Sequence, residues 1–179
     1  VTLDEMYNET AMYIGEVLQK QDNEYIGESI TLTNIFKSAI NFAYKKIVRE
    51  KYPLEYEDTV SSGDPLTKKF YKLKKVSVDN LPIDFTIENN AIEFDYDGPV
   101  DVLYNYIPNE LSSLTDVPEL PDEAVDHRLL CYYAAFQYFN IEDDDRAVKW
   151  LNMWEDGFSS IRADKVRQTV VKRIYDGGW

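Results

Sequence analysis

The chain has 179 residues, 44% of them hydrophobic, and carries 33 Asp and Glu against 19 Lys and Arg, a net charge of −14 at neutral pH. Its length makes one large domain or two small ones, able to bury roughly 70% of the unfolded surface, and its hydrophobic share excludes wholesale disorder. The acid excess argues against a broad face for nucleic acid phosphates and against docking on anionic membrane, since both need clustered positive charge.

One Cys and one His exclude an internal disulfide framework and a His/Cys zinc cage within a single chain, and the lone thiol suits a reducing compartment. The N-terminus, Val1-Thr2-Leu3-Asp4-Glu5, lacks the basic and apolar regions of a signal peptide. The longest apolar stretch runs from Leu129 to Phe136, far below the ~20 residues of a spanning helix. The expectation is a soluble protein made in the cytoplasm.

Thr2 and Glu5 form a capping-box pattern that opens a first helix, with Leu3, Met6, Tyr7, Thr10, Tyr13, Ile14 and Val17 on one face. This helix is expected to fade between Gln19 and Asn23. Thr33 then reads as the cap of a second helix, with Ile35, Phe36, Ala39, Ile40, Ala43 and Ile47 along its inner stripe. Pro53 ends it, because the residue before a proline is pushed out of the helical region. Residues 53 to 65 read as a polar loop.

From 66 to 107 the period changes to short β-branched and aromatic runs: Phe70 to Val78, Phe85 to Ile87, Ala91 to Phe94 and Val100 to Ile107. Asp79-Asn80, Asn89-Asn90 and Asp97-Gly98-Pro99 separate them with turn chemistry. Asn89-Asn90 is a hairpin signal, since Asn tolerates positive φ. Three to four antiparallel strands are expected.

Residues 108 to 121 form an extended connection. Pro121-Asp122-Glu123 opens a third helix, with proline in the first turn and acids at the positive helix end. Its apolar middle is expected to be the central buried helix. Asn140 to Asp145 turn the chain into a fourth helix, antiparallel to the third, with Ala147, Trp150, Leu151, Trp154, Phe158 and Ile161 on one face. Tyr133, Phe136, Trp150 and Trp154 are expected in the core. The last segment is β-prone at Thr169-Val170-Val171 and ends in Gly177-Gly178-Trp179.

No catalytic set stands out. Asp126 beside His127 is a carboxylate–imidazole pair, yet adjacent helical residues diverge by about 100°, and no Ser or Cys sits at a matching spacing. Cys131 on a buried helix reads as a small hydrophobe. Glu142-Asp143-Asp144-Asp145 lacks the alternating oxygens, turn glycine and closing Glu of a calcium loop and reads as the cap of the fourth helix. No glycine-rich phosphate loop is present. No cofactor is expected.

The charge is segregated. Residues 108 to 145 hold ten acids, Glu110, Asp116, Glu119, Asp122, Glu123, Asp126, Glu142, Asp143, Asp144 and Asp145, against Arg128 alone. The tail holds Arg162, Lys165, Arg167, Lys172 and Arg173 against Asp164 and Asp176, and a second basic island is Lys68, Lys69, Lys72, Lys74 and Lys75. Such segregation suits an assembly protein whose parts meet different partners, or simply solvated faces.

Three motifs precede and enter the third helix: Leu103-Tyr104-Asn105-Tyr106-Ile107-Pro108, Leu111-Ser112-Ser113-Leu114-Thr115-Asp116 and Pro118-Glu119-Leu120-Pro121-Asp122-Glu123. With the acidic turn and the aromatic helix Arg146-Ala147-Val148-Lys149-Trp150-Leu151, they resemble the head-to-tail adaptor (connector) proteins of tailed bacteriophages over about a third of the chain. The motifs are patterns of packing rather than of chemistry. The resemblance implies a structural, non-enzymatic virion protein: a ring, commonly of twelve copies, beneath the portal protein at the capsid vertex. A downstream neck or tail protein attaches below, duplex DNA passes through without tight binding, and no membrane is involved.

The expected fold is α+β, mainly a helical bundle with a small antiparallel β-sheet lobe inserted between helix pairs and a C-terminal arm. Residues 1–65 and 108–166 supply the bundle, 66–107 the lobe and 167–179 the arm. Portal docking falls to Arg162, Lys165, Arg167, Val170, Val171, Lys172, Arg173, Tyr175 and Trp179, expected to be poorly ordered in the free subunit and ordered in the ring, with a tail folded back on its own bundle as the alternative. Glu119, Asp122, Glu123, Asp126, Glu142, Asp143, Asp144 and Asp145 are the candidates for an acidic channel wall or interface. Three other readings stay open: an acidic regulatory subunit or DNA mimic binding a basic partner, a hydrolase with Asp122 and Asp126 as paired carboxylates, and a head-closure role.

Overall fold

The computed structural model describes residues 1–161, an α+β chain with four helices and small antiparallel sheets. It divides into two compact units, one from Val1–Ile47 with the chain from Leu111 onward, the other from Val48–Glu110.

In the first unit, α1 (Leu3–Ile14) opens on the expected capping box: Thr2 Oγ1 accepts from Glu5 N–H, and the Glu5 carboxylate accepts from Thr2 N–H. Leu3, Met6, Tyr7, Thr10, Ala11 and Ile14 are buried. The helix stops at Gly15, short of Gln19, because Gly15 adopts the left-handed conformation (φ 85°) and its N–H turns back to the last carbonyls. Where a fading helix was expected, β1 (Lys20–Gln21) and β2 (Glu24–Tyr25) form a hairpin. Asp22 and Asn23 turn it with φ of 51° and 65°, a two-residue turn that short Asx side chains accept.

Helix α2 (Glu28–Glu50) begins before Thr33, which is therefore not its cap. The Thr33 hydroxyl instead donates to the Ser29 carbonyl from inside the helix, at 2.8 Å. Phe36, Ala39, Ile40, Ala43 and Ile47 are buried as the stripe predicts, and Tyr44 joins them.

The third helix corrects its predicted start. Ala124 and Val125 N–H both donate to the Pro121 carbonyl, closing a single turn, and α3 (Arg128–Ile141) begins only after His127. The break comes where two side chains claim the backbone: His127 Nε2 bonds to the Leu120 carbonyl, and Asp126 Oδ1 accepts from Arg128 N–H. Helix α4 (Arg146–Ser160) returns antiparallel to α3. The pairings Arg146 on Phe139, Trp154 on Tyr133 and Gly157 on Leu129 run in opposite order along the two helices. Trp150 and Trp154 are buried, whereas Tyr133 and Phe136 are only half-buried. The apolar run in α3 exceeds what its neighbours cover, so its core side is Leu129, Leu130, Cys131, Ala134, Ala135 and Phe139.

The connection into α3 has no helix or strand from 108 to 120 but is held to the helices. Leu3 and Asp4 N–H donate to the carbonyls of Asp116 and Leu114, and Tyr44 Oη accepts from Glu119 N–H at 2.8 Å. Free donors at a helix start thereby find partners.

In the second unit, β3 (Leu54–Val60), β4 (Phe70–Val78), β5 (Leu81–Pro82) and β8 (Val100–Tyr106) form an antiparallel sheet in the order β3-β8-β4-β5. β6 (Thr86–Glu88) and β7 (Ala91–Glu93) form a separate hairpin. The expected loop at 53 to 65 thus contains a strand. Leu54, Asp58 and Val60 point inward between exposed Glu55, Glu57 and Thr59, a two-residue alternation whose inward members include one acid. Asp58 is buried because it is satisfied: it accepts from Thr67 N–H, Thr67 Oγ1 and Tyr104 Oη at 2.8, 2.7 and 2.6 Å. The Asp79-Asn80 and Asn89-Asn90 turns carry positive φ at both residues, as expected of tight hairpins.

Candidate interaction site

The eight acidic candidates do not form one patch. Glu119, Asp122, Glu123 and Asp126 lie ahead of α3, and Glu142, Asp143, Asp144 and Asp145 follow it, so the length of that helix, ~21 Å by its rise per residue, separates the two groups.

Each group contains the same local device. Asp126 Oδ1 accepts from the N–H of Arg128, and the carboxylate takes Arg128 Nε and Nη2 at 2.9 and 2.6 Å. Asp144 does the same with Arg146, at 2.8 Å to the backbone and 3.0 and 2.7 Å to the guanidinium. An Asp-x-Arg tripeptide therefore starts both helices, satisfying one free helix donor and neutralising one acid. The guanidinium hydrogen bonds hold both carboxyls below their usual range. The expected cap at the start of α4 is thus Asp144 alone, since Asp145, at the N-cap position, makes no side-chain cap bond. Glu119, Glu123, Glu142, Asp143 and Asp145 are exposed.

The imidazole pair differs from the one suggested by adjacency. His127 is 2% exposed; its Nε2 meets the Leu120 carbonyl at 2.8 Å, and its Nδ1 lies 2.9 Å from Asp122 Oδ1, not against Asp126. The ring locks the turn ahead of α3, and Asp126 is engaged by Arg128, so the two carboxylates Asp122 and Asp126 serve different partners. Cys131 is buried, and burial pushes its thiol up to about 12, which suppresses the nucleophilic thiolate. Among the described residues, no group of three His, Cys, Asp or Glu could hold a metal ion. No helix among them is long and apolar enough to cross a membrane.

The basic island lies on and just before β4. Lys74 pairs with Glu55, Lys75 donates to Asn80, and Lys68 sits over the rings of Tyr56 and Tyr106. These three lysines are thus engaged by separate partners on the sheet. The arm residues Arg162, Lys165, Arg167, Val170, Val171, Lys172, Arg173, Tyr175 and Trp179 lie outside the described residues.

A feature the sequence reading missed is an open groove of about 660 Å³ between α2 and α3. Ile35, Ser38, Phe42, Tyr133, Gln137 and Ile141 line it. Phe42 stacks on Tyr133 with ring centroids 5.3 Å apart, yet Phe42 stays 54% and Ile141 59% exposed. The signal was present: Phe42 lies off the inner stripe of α2, and a second apolar side on an otherwise amphipathic helix needs a partner of its own.

No family model and no curated protein matches the chain.

Proposed function

We propose that this chain is a subunit of the head-to-tail adaptor ring of a tailed bacteriophage, a structural rather than catalytic protein. In this reading the helices form a bundle with the β unit as an inserted lobe, and residues 162–179 form the portal-docking arm. The ring, of about twelve copies as the resemblance implies, joins portal to neck at the head–tail junction of the virion. The observation that carries the reading is the path from β8 to α4. The segments bearing the adaptor-like motifs form, in order, a central strand, a tethered connection, an aromatic helix, an acidic turn and a second aromatic helix.

The acidity supports a passage for DNA rather than a grip on it. Duplex DNA carries a negative charge per ~1.7 Å of axis, so basic walls would hold it, whereas exposed Glu119, Glu123, Glu142, Asp143 and Asp145 leave it free to slide. A DNA mimic is less well supported, because a mimic needs its acids arrayed on one face. Here they stand at the two ends of α3, and two of them are paired with arginines.

Co-expression with the portal protein, followed by electron microscopy of the purified particles, tests the reading. A ring of this chain beneath the portal is expected, and it is lost when residues 167–179 are deleted from a chain that keeps its helical signal. A monomer by sedimentation at every concentration, with or without portal, overturns it.

A further inference from the structure

We propose that the groove between α2 and α3 is the seat of residues 162–179 of the same chain in the isolated subunit. This goes beyond the adaptor reading and does not depend on it, because it concerns one chain alone.

The groove asks for an apolar occupant with basic flanks. Its walls are Ile35, Phe42, Tyr133 and Ile141, with Ser38 and Gln137 between them. At its Ile141 end stand exposed Glu142 and Asp143, and Glu28 lies one turn before the lining residue Thr31. The C-terminal segment has the matching chemistry. Val166, Val170, Val171, Ile174, Tyr175 and Trp179 are interspersed with Lys165, Arg167, Lys172 and Arg173. Burying two or three of these apolar side chains contributes through the hydrophobic effect, and the basic ones meet the acidic end.

The chain also arrives at the right place. Ile161 is buried at the end of α4, whose aromatic side forms a ladder of rings. Phe158 stacks on Trp154 at 5.0 Å, Trp154 meets Tyr133 at 5.1 Å, and Tyr133 stacks on Phe42 in the groove wall. The eighteen residues beyond Ile161 span up to ~60 Å when extended, whereas the stretch of α2 from Thr31 to Phe42 is ~17 Å long. A tethered segment also acts at a high effective concentration, of millimolar order for short linkers, so even weak docking fills the groove. That favours the chain's own tail over a second copy. Partners that take the tail would leave the groove uncovered.

The test uses the full-length chain with one cysteine on the groove wall, Asn34→Cys, and one in the tail, Val170→Cys. Both Asn34 and the alternative wall position Ser38 are exposed, so neither change disturbs the core, and buried Cys131 does not compete. Under mild oxidation at low protein concentration, the pair is expected to close an intramolecular disulfide roughly tenfold faster than a control pair, Met12→Cys with Val170→Cys; Met12 is 68% exposed on α1. Filling the groove with Ser38→Trp should slow the closure to the control rate. Equal rates for the two pairs, no effect of Ser38→Trp, or a disulfide that joins two chains each overturn the proposal.

Discussion

Both polar atoms of the Asn41 carboxamide bind the backbone of Leu111: Oδ1 accepts from its N–H at 2.8 Å, and Nδ2 donates to its carbonyl at 3.0 Å. A side chain thus does for residue 111 what a neighbouring strand would do, in a segment that has no strand. Asn41 is buried, so Asn41→Ala leaves a buried N–H and a buried carbonyl without partners. A loss of about 2 kcal/mol or more is expected. Tyr44→Phe removes a single acceptor, that of the Glu119 N–H, and should lose about 1 kcal/mol. Denaturant midpoints of the two variants check the order, and equal midpoints would show that the connection is not held at Leu111.

Asp58 plays the comparable part in the second unit. Its carboxylate accepts three hydrogen bonds, two from Thr67 and one from the Tyr104 hydroxyl. Burial and this carboxylate push the Tyr104 hydroxyl well above its usual range, so the phenol stays a donor. Asp58→Ala strands donors at both partners and should cost about 2–3 kcal/mol. Tyr104→Phe leaves Asp58 its two bonds from Thr67 and should cost less, about 1 kcal/mol. The double variant should then lose less than the two single losses combined, because both remove one shared bond. Additive losses in a double-mutant cycle would refute the coupling.

Much of this arrangement could be read from the residues alone. The capping box at Thr2 and Glu5, the Asx turns at 79–80 and 89–90, the end of α2 before Pro53 and the aromatic hairpin of α3 and α4 are local in cause, so local patterns reveal them. β3 escaped because one of its inward residues, Asp58, is an acid. Its partners Thr67 and Tyr104 lie 9 and 46 residues away, and only the folded chain shows that the carboxylate is satisfied. Pro121-Asp122-Glu123 has the composition of a helix start but is spent on a single turn, so α3 begins later than that composition predicts. Adjacency sets Asp126 beside His127, but neighbouring side chains diverge, and it is the turn ahead of α3 that brings Asp122 to the ring. The groove depends on which side of α2 remains uncovered, and that is a property of packing.

The paired carboxylates make the first unit sensitive to acid. Guanidinium hydrogen bonds lower Asp126 and Asp144, and backbone hydrogen bonds from Ser112 and Ser113 lower Asp116. The folded values lie below the unfolded ones, so the stabilisation is complete above the unfolded carboxylate range, about pH 4. It is lost as pH falls through the folded values. The groups lie at the surface, half-exposed or exposed, so solvent keeps each effect small, but Asp126 and Asp144 both act at helix starts. The variant Asp126→Asn with Asp144→Asn should be slightly less stable at neutral pH. Its helical signal in circular dichroism should respond less to acid below about pH 4 than that of the natural chain. An identical acid titration of the two proteins would rule out these pairs as the acid-sensitive element.

At Gly157, α4 packs directly against the Leu129 side chain of α3. A Cβ built there would stand 2.0 Å from Leu129 Cδ2 and 3.2 Å from Cγ, so any larger residue must displace a leucine that is itself buried. Two effects of Gly157→Ala oppose each other. Inside a helix, alanine is favoured over glycine by about 1 kcal/mol. Overpacking a filled contact costs about 1–3 kcal/mol, and a 2.0 Å approach belongs at the upper end of that range. The net expectation is a loss of about 1–2 kcal/mol, the reverse of what propensity alone predicts. A second substitution separates the causes. Leu129→Ala alone should destabilise by about 2–4 kcal/mol through the cavity it leaves. In that background Gly157→Ala should no longer destabilise and should recover part of the loss, because the added methyl enters vacated space and the helix preference then acts unopposed. Thermal or denaturant unfolding of the four proteins measures the coupling. If Gly157→Ala stabilises the natural chain, the two helices are free to move apart, and the aromatic ladder from Phe158 to Phe42 does not fix their spacing.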